Sequence, residues 1–522
     1  MPAKKRQLSR RDFLKLTAAT AGGALLAPIV ADEKTVRGEN SARPNIILLV
    51  FDAMSARHLS LYGYERETTP NISRFAQKAS VYHSHYSGGN FTTSGTGSML
   101  TGTYPWTHRA INHRGRIIPS LAARNIFNFL GNSYERIAFS HNWWVHLLLS
   151  QFEPSINNLI SPTSYSTKIK HILVEDRFSK DYLTAYYAYE DALNSDSTDT
   201  PPASMLLAFR EAALDKRVGK RERGGGISNY PYGPPSTEYN EFELGTVLAG
   251  MASSFPDPVK SQRPWFEYFH IIPPHQPYSP NKDFAALFQD TQGFVRKPVH
   301  PLVPDYLDDR MLLKYHSRYD QFIANVDHEF GILLDGLEKS GTLDSTYFII
   351  TSDHGEIFER GMLGHSGPLL YDAMIRIPLL IRAPGQTQRK DYYSTTSNLD
   401  LAPTILQLAG VDAPPELEGQ FLPGFGAVEQ PDRPVFSIQA YRNSPFKALT
   451  SASIALKQGE YKLIHYLGYA GIRDEFELYD LKNDPDELNN LYGKLNNTSL
   501  ELKSALLEAL TLANKPYEKA NQ

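Results

Sequence analysis

The 522-residue chain has no cysteine, which excludes disulfides, thiolate metal sites and a catalytic thiol. It has no charge excess either, with 53 Lys and Arg against 57 Asp and Glu. Nothing in that balance points to nucleic acid or to a polyanion-binding surface. Past the first residues, no stretch reaches the roughly 18 continuous apolar residues of a membrane span, so no stable span is expected in the mature part. No internal repeat is visible. What is present is an ordinary globular composition, 41% hydrophobic, in a chain long enough for one large domain and one smaller one.

At the N-terminus, Lys4, Lys5, Arg6 and the pair Arg10-Arg11 precede an apolar, small-residue run from Phe13 to Ala31. This resembles a twin-arginine export signal over residues 1–31, with SRRDFLK as its recognition element and cleavage after Ala31. The alternative is a short membrane anchor or amphipathic helix. Thr17, Thr20, Gly22, Gly23 and Pro28 make the run a poor span. The expected destination is the periplasm or the exterior, with the twin-arginine machinery as a partner. That route carries folded proteins and suits a cofactor loaded in the cytoplasm.

Asn45 to Phe51 (NIILLVF) is continuously apolar, as in a central parallel strand covered on both faces. It ends at Asp52. Tyr347 to Ile350 leads through Thr351 and Ser352 into Asp353-His354-Gly355-Glu356. Between them, apolar residues at 319, 322, 323, 326, 330, 333, 334 and 337 predict an amphipathic helix over Tyr319 to Leu337, stopped by Gly341. Ile137 to Ser140, Trp265 to His270 and Pro378 to Ile381 are further strand candidates. Strands alternating with helices predict an α/β fold with a mostly parallel sheet covered on both faces, where ligands gather at the carboxyl ends of strands. Asp52, His270 and Asp353 sit at such ends. Asn194 to Ser204 is turn-rich and Lys216 to Ser236 is basic, then rich in glycine and proline; the latter reads as a solvated loop or as a basic flap over an anionic substrate. From about Pro431, short strand-like pieces (VFSIQA, YKLIHYL, FELYDL) and a helix around Leu500 to Leu512 predict a small α+β subdomain over 431–515, after a catalytic domain over 43–430.

A lone aspartate after a strand is often a cap or turn residue. Asp353 beside His354, however, offers one hard oxygen and one imidazole nitrogen to a divalent ion. Asn90 to Gly102 (NFTTSGTGSMLTG) reads as a hydroxyl-rich turn opening a helix. N–H groups there stabilise an oxyanion and a metal can activate a hydroxyl; the alternative is a capped helix with threonines as turn formers.

These segments together resemble the sulfatase branch of the alkaline phosphatase superfamily. Leu59 to Phe75 reads LSLYGYERETTPNISRF, Leu100 to Pro105 reads LTGTYP, and Pro273 to Tyr278 reads PPHQPY. SDHGE, LGHSGPLLYDAMIRIPLLIRAPG (Leu363 to Gly385), LDLAPTILQLAGV (Leu399 to Val411) and YKLI…ELYDLKNDPDE (Tyr461 to Glu487) follow in the family's order. The resemblance covers roughly residues 43 to 490 and implies an alkaline-phosphatase-like fold.

The departures bear on the chemistry. The family's nucleophile lies ten residues before the glycine of LTGxYP, which here is Thr92. Cys or Ser at that position is oxidised to formylglycine; threonine cannot yield that aldehyde. The usual proline, serine and arginine that follow are Ser94, Gly95 and Thr96, the second metal aspartate is Ala53, and the usual Asp-Asn pair is Asp353-His354. The remaining set, Asp52, Thr92, Asp353 and His354, resembles that of the single-metal, threonine-dependent relatives: lipoteichoic acid synthases, phosphoethanolamine transferases and phosphodiesterases. It implies one divalent ion, Mn²⁺ or Zn²⁺ ahead of Ca²⁺ or Mg²⁺. Thr93 competes with Thr92 as nucleophile, but the LTG spacing and the Asn-x-Thr pattern agree on Thr92. His275 and His365 match histidines that contact the anion or protonate the leaving oxygen. Asn90, Thr93, His270 and His108 are candidate substrate contacts. The implied partner is an anionic ester, carried by a glycan or a lipid head group, with specificity residing in residues 150 to 260. Two other readings remain open: a sulfuric ester hydrolase working without formylglycine, and an inactive member binding anionic glycans.

Overall fold

The run Asn45–Phe51 sends alternate side chains to opposite faces, and both faces are buried. In the computed structural model of the chain, Ile47, Leu49 and Phe51 join one hydrophobic core. Ile46, Leu48 and Val50 join another on the opposite side. The structure describes residues 43–113, 115–169, 229–237, 239–256, 263–472 and 475–518. The export signal over 1–31, the segment Asn194 to Ser204 and most of the basic stretch from Lys216 lie outside them.

The central sheet has eight strands, numbered here in chain order: β1 (Asn45–Phe51), β2 (Ser80–Tyr82), β3 (Glu135–Ser140), β4 (Asn158–Leu159), β5 (Trp265–Ile271), β6 (Thr346–Ser352), β7 (Leu379–Arg382) and β8 (Lys390–Tyr392). Their spatial order is β8-β2-β7-β6-β1-β5-β3-β4. All pairings are parallel except those of β7 with β2 and β6. The expected mostly parallel α/β sheet is thus present.

Helices cover both faces. On one side lies α5 (Asp309–Lys339), with Val326, Phe330 and Leu334 against Phe51. On the other lie α3 (Trp143–Phe152) and α6 (Leu401–Leu408), with Leu148 and Ile405 against Leu48. Helix α5 starts ten residues before the predicted Tyr319, because Asp308 caps it by accepting from Met311 N at 2.8 Å. The apolar stripe marks only the part that lies on the sheet. Three further helices are α1 (Pro70–Ala76), α2 (Thr92–Thr101) and α4 (Leu244–Ser254), the last beside α5.

The C-terminal part is an antiparallel sheet of β9 (Val435–Gln439), β10 (Ala452–Gln458), β11 (Tyr461–Leu467) and β12 (Phe476–Asp480), covered by α7 (Asn496–Glu518) through Leu502, Leu506 and Leu510. The sequence pattern passed over β10, whose SIALKQ stretch follows a run of serine and threonine. Buried Lys462 pairs with Asp372 at 2.8 Å and Glu487 at 2.6 Å, pinning this sheet to the short helix Asp372–Ile375. Among the described residues, no helix is long and apolar enough to cross a membrane.

Candidate active site

Parallel register brings the chemistry to one level. Phe51 pairs with Ile271 on one side and Ser352 on the other. Asp52 and Asp353 therefore leave adjacent strands together, and His270, opposite Val50, lies one residue lower on β5. All three are fully buried, as is His354.

His354 Nε2 lies 3.4 Å from Asp52 Oδ1 and 3.6 Å from Asp353 Oδ2. His270 Nε2 lies 3.6 Å from Asp52 Oδ2 and 3.7 Å from Asp353 Oδ2. The outer atoms are anchored elsewhere. Asp353 Oδ1 accepts from His354 N at 2.9 Å and Ala53 N at 3.2 Å. Asn142 Nδ2 donates to Asp52 Oδ2 at 2.5 Å, and His354 Nδ1 donates to Gly355 O at 2.8 Å. Asp52 Oδ1, Asp353 Oδ2 and His270 Nε2 are left buried without a hydrogen bond. Among the described residues no lysine or arginine pairs with either carboxylate. Such orphaned atoms are costly, and oxygen and imidazole donors converging at this spacing suit a divalent cation.

The electrostatics agree. Burial opposes ionisation of Asp52, yet the imidazoles of His275, His270 and His354 hold its carboxyl well below the usual range. Burial and the neighbouring Asp52 charge push Asp353 up. His354 is pushed to about 9: burial lowers it, but Asp353 and Asp52 outweigh burial. Binding an ion there would displace that proton.

Ala53 adopts φ 60°, left-handed backbone rare for a side chain with Cβ. Tyr319 on α5 holds the turn, accepting from Ser55 N at 2.9 Å and donating to Ala53 O at 2.5 Å.

Thr92 is the first residue of α2, and its Oγ1 lies 3.4 Å from His354 Nε2. All ten residues of this helix are buried, and its small side chains permit close approach. A Cβ on Gly95 would stand 2.2 Å from Asp353 O, so only glycine fits between the helix and the metal-type loop. Thr93 Oγ1 instead donates to His113 O at 2.5 Å.

His365 is buried with its ring 4.3 Å from that of His354 and 4.8 Å from that of His275. Its Nδ1 lies 3.2 Å from Glu356 Oε1. Burial, then the His354 and His275 imidazoles, keep His365 well below its usual pKa, while burial pushes Glu356 up to about 7. Asn90 donates to His365 O at 3.2 Å and Gly367 O at 2.9 Å, fixing this loop. His108 is engaged inside the fold. Its Nδ1 accepts from Ala110 N at 3.1 Å and its Nε2 lies 3.1 Å from Ser98 Oγ. Thus Asp52, Thr92, Asp353, His354, His270, His365 and His275 come together, while the polar atoms of Thr93 and His108 are used by the fold.

Sequence reasoning missed Asn142, Glu356, Tyr319 and Tyr268. Asn142 follows β3 as Asp52 follows β1, and Glu356 ends the SDHGE motif; those signals were available. Tyr319, distant in sequence from the turn it braces, left none.

A second buried cluster, His58, His316 and Asp320, has metal-type residues at close spacing. Here Asp320 is already satisfied. Its Oδ1 lies 2.7 Å from His58 Nδ1, and its Oδ2 accepts from Tyr64 Oη at 2.6 Å and Arg66 Nη1 at 2.8 Å. A cavity of about 200 Å³ opens beside His58 and His316, not over Asp52.

The chain matches the family described as Sulfatase over residues 44–411. It belongs to the sulfatase family. Residues 365–514 match the description N-sulphoglucosamine sulphohydrolase, C-terminal. Residues 7–27 match a twin-arginine translocation signal, which marks this sulfatase-family chain for export. An N-acetylglucosamine-6-O-sulfatase of Bacteroides thetaiotaomicron is 25% identical over 509 residues, spanning 92% of this chain and 88% of that protein. PehA of Trinickia caryophylli, a multifunctional alkaline phosphatase superfamily protein, is 25% identical over 305 residues, 50% of this chain and 57% of its own. A phosphonate monoester hydrolase of Agrobacterium radiobacter shares the fold, with a TM-score of 0.62 at 20% identity over 91% of this chain and 96% of that one. The chain is accordingly a sulfatase-superfamily ester hydrolase, of a family that uses a divalent metal ion.

Proposed function

We propose that this family member cleaves phosphate-type esters with Thr92 as nucleophile, as a hydrolase or a phosphoryl-group transferase. The observation that carries the reading is Thr92 Oγ1 at the start of a buried helix, 3.4 Å from His354 Nε2 and beside two carboxylates with unused lone pairs. Asp52, Asp353, His354 and Thr92 would hold one divalent ion, Mn²⁺ or Zn²⁺ before Ca²⁺. Bound there, it would lower the pKa of the hydroxyl and neutralise charge on the phosphoryl oxygens.

Thr92 Oγ gives up its proton to solvent and attacks phosphorus, the ester P–O bond breaks, and the alcohol departs with a proton donated by half-buried His275, which regains one from the water or alcohol of the second step. Water or a second alcohol then attacks the phospho-threonine and frees Thr92. With its pKa raised to about 7 by burial, Glu356 is partly protonated near neutrality, and in that form it donates to His365 Nδ1. That tautomer leaves the His365 Nε2–H for an anionic oxygen. With no cysteine in the chain and threonine at position 92, formylglycine cannot form there, which supports attack by the hydroxyl itself.

Brief exposure to an aryl phosphodiester followed by mass spectrometry should reveal phosphate on Thr92. Absence of any adduct, together with full activity in Thr92→Ala, would sink the assignment. A second reading, sulfuric ester hydrolysis at Thr92, is supported by relatives named N-acetylglucosamine-6-O-sulfatase and endo-4-O-sulfatase. Parallel rates on aryl sulfate and aryl phosphodiester distinguish the two, and the name of the N-acetylglucosamine-6-O-sulfatase relative favours a glycan-borne ester.

A further inference from the structure

We infer that His270 is a protein ligand of the divalent ion, joining Asp52, Asp353 and His354, and not a contact for the substrate. The inference rests on the reading that the ion lies between those carboxylates.

The case begins with strand geometry. Asp353, Asp52 and His270 come from the three adjacent strands β6, β1 and β5. His270 stands opposite Val50, one residue short of the end of β5, so it forms the floor of the cluster. It is fully buried, and its Nε2 has no hydrogen-bond partner. At 3.6 and 3.7 Å from the two carboxylates, Nε2 is too far away to hydrogen-bond to either. Those separations do match another arrangement. Two ligand atoms each about 2.1 Å from one ion, at a tetrahedral angle, stand about 3.4 Å apart. The His354 Nε2 distances to the same two aspartates, 3.4 and 3.6 Å, fall in the same range.

The other ring nitrogen completes the argument. Tyr268 and His270 are two apart on β5 and share a face, and Tyr268 Oη lies 2.8 Å from His270 Nδ1. With Nδ1–H donating to Oη, Nε2 carries the lone pair and points at the carboxylates. An outer hydrogen bond of this kind orients a metal-bound histidine and fixes its tautomer; His354 has the same device in its Nδ1 bond to Gly355 O. The resulting donor set is two carboxylates, two imidazoles and the Thr92 hydroxyl. Two imidazoles favour Zn²⁺ over the oxygen-seeking Ca²⁺ and Mg²⁺.

The test is metal affinity, read without turnover. Zn²⁺ competition against a chromophoric chelator should show wild-type binding weakened about 100-fold or more by His270→Ala and about tenfold by Tyr268→Phe, with the preference for Zn²⁺ over Ca²⁺ falling in both. X-ray absorption on the Zn²⁺-loaded wild-type protein, which needs no variant to fold, should count two imidazole nitrogens. A single imidazole, or unchanged Zn²⁺ affinity in a folded His270→Ala protein, overturns the inference. Asp353→Asn separates the two levels: if it keeps wild-type Zn²⁺ affinity, the metal site itself is misplaced, whereas loss there with no loss in His270→Ala rejects only the role of His270.

Discussion

The two buried histidine–aspartate clusters of this chain contain similar residues and differ in what their carboxylates touch. Around Asp320, both oxygens are engaged by His58, Tyr64 and Arg66, so the charge is compensated inside the fold. Around Asp52 and Asp353, two carboxylates face each other across orphaned lone pairs, with imidazoles as their neighbours. The first cluster is complete as a structural ion pair, whereas the second leaves lone pairs that an added cation would satisfy. Residue type alone does not separate a bracing cluster from a binding one. The presence of Arg66 in one and, among the described residues, of no arginine or lysine in the other does.

The largest expected effect lies in the second cluster. Thr92→Ala should lower kcat by at least about 10³-fold, roughly 4 kcal/mol of transition-state stabilisation, with the melting temperature little changed. Activity within tenfold of wild type would erase the distinction between the clusters. Asp320→Ala should do the reverse, costing about 3 to 5 kcal/mol of stability because it removes the buried carboxylate shared by His58, Tyr64 and Arg66 and leaves Arg66 only the exposed Asp290, while kcat of the folded fraction stays near wild type. Its pH dependence has a definite sign. Burial works against ionisation of Asp320, but His316, His58 and the hydrogen bonds it accepts hold its carboxyl below the usual range. A depressed carboxyl contributes stability above its unfolded pKa of about 4 and loses it as pH falls through the folded value. The gap between wild type and Asp320→Ala in thermal melts should therefore narrow under acid.

Metal removal comes next. Chelation should destabilise the wild-type protein by about 3 kcal/mol if the ion was present at some hundred times its Kd. Asp353→Asn should blunt that response, because it removes both a ligand and the repulsion between two buried carboxylates. An equal chelator response in Asp353→Asn would mean that the ion binds elsewhere. The smallest effect is expected from Thr93→Val, below about tenfold in kcat, since that hydroxyl is committed to His113 O. A Thr93→Val loss as large as that of Thr92→Ala would exchange the two threonines.

Much of the fold was legible because its strands are continuous and apolar. NIILLVF reads as a strand covered on both faces, and its ending at Asp52 placed a polar group at the carboxyl edge. The helix before Gly341 was legible only where it rests on the sheet, since an apolar stripe records contact and not length. Asp52, Thr92, Asp353 and His354 were nameable from motif spacing. Tyr319 and Tyr268 were not, because Tyr319 braces a turn on another element and Tyr268 meets His270 only through the pleat of the strand.

By itself the sequence determined the absence of any thiol chemistry, the sulfatase-type order of motifs, the export signal and a hydroxyl where an aldehyde precursor usually stands. These are properties of residue identity and spacing. Only the tertiary structure decided which His and Asp side chains have unused lone pairs. It sent His270 toward the carboxylates and spent the polar atoms of His108 and Thr93 within the fold. It also closed the Asp320 cluster with Arg66. The physical reason is that burial makes every unpaired polar atom costly, and whether an atom is paired depends on strand register and helix approach, which no single segment of the chain contains.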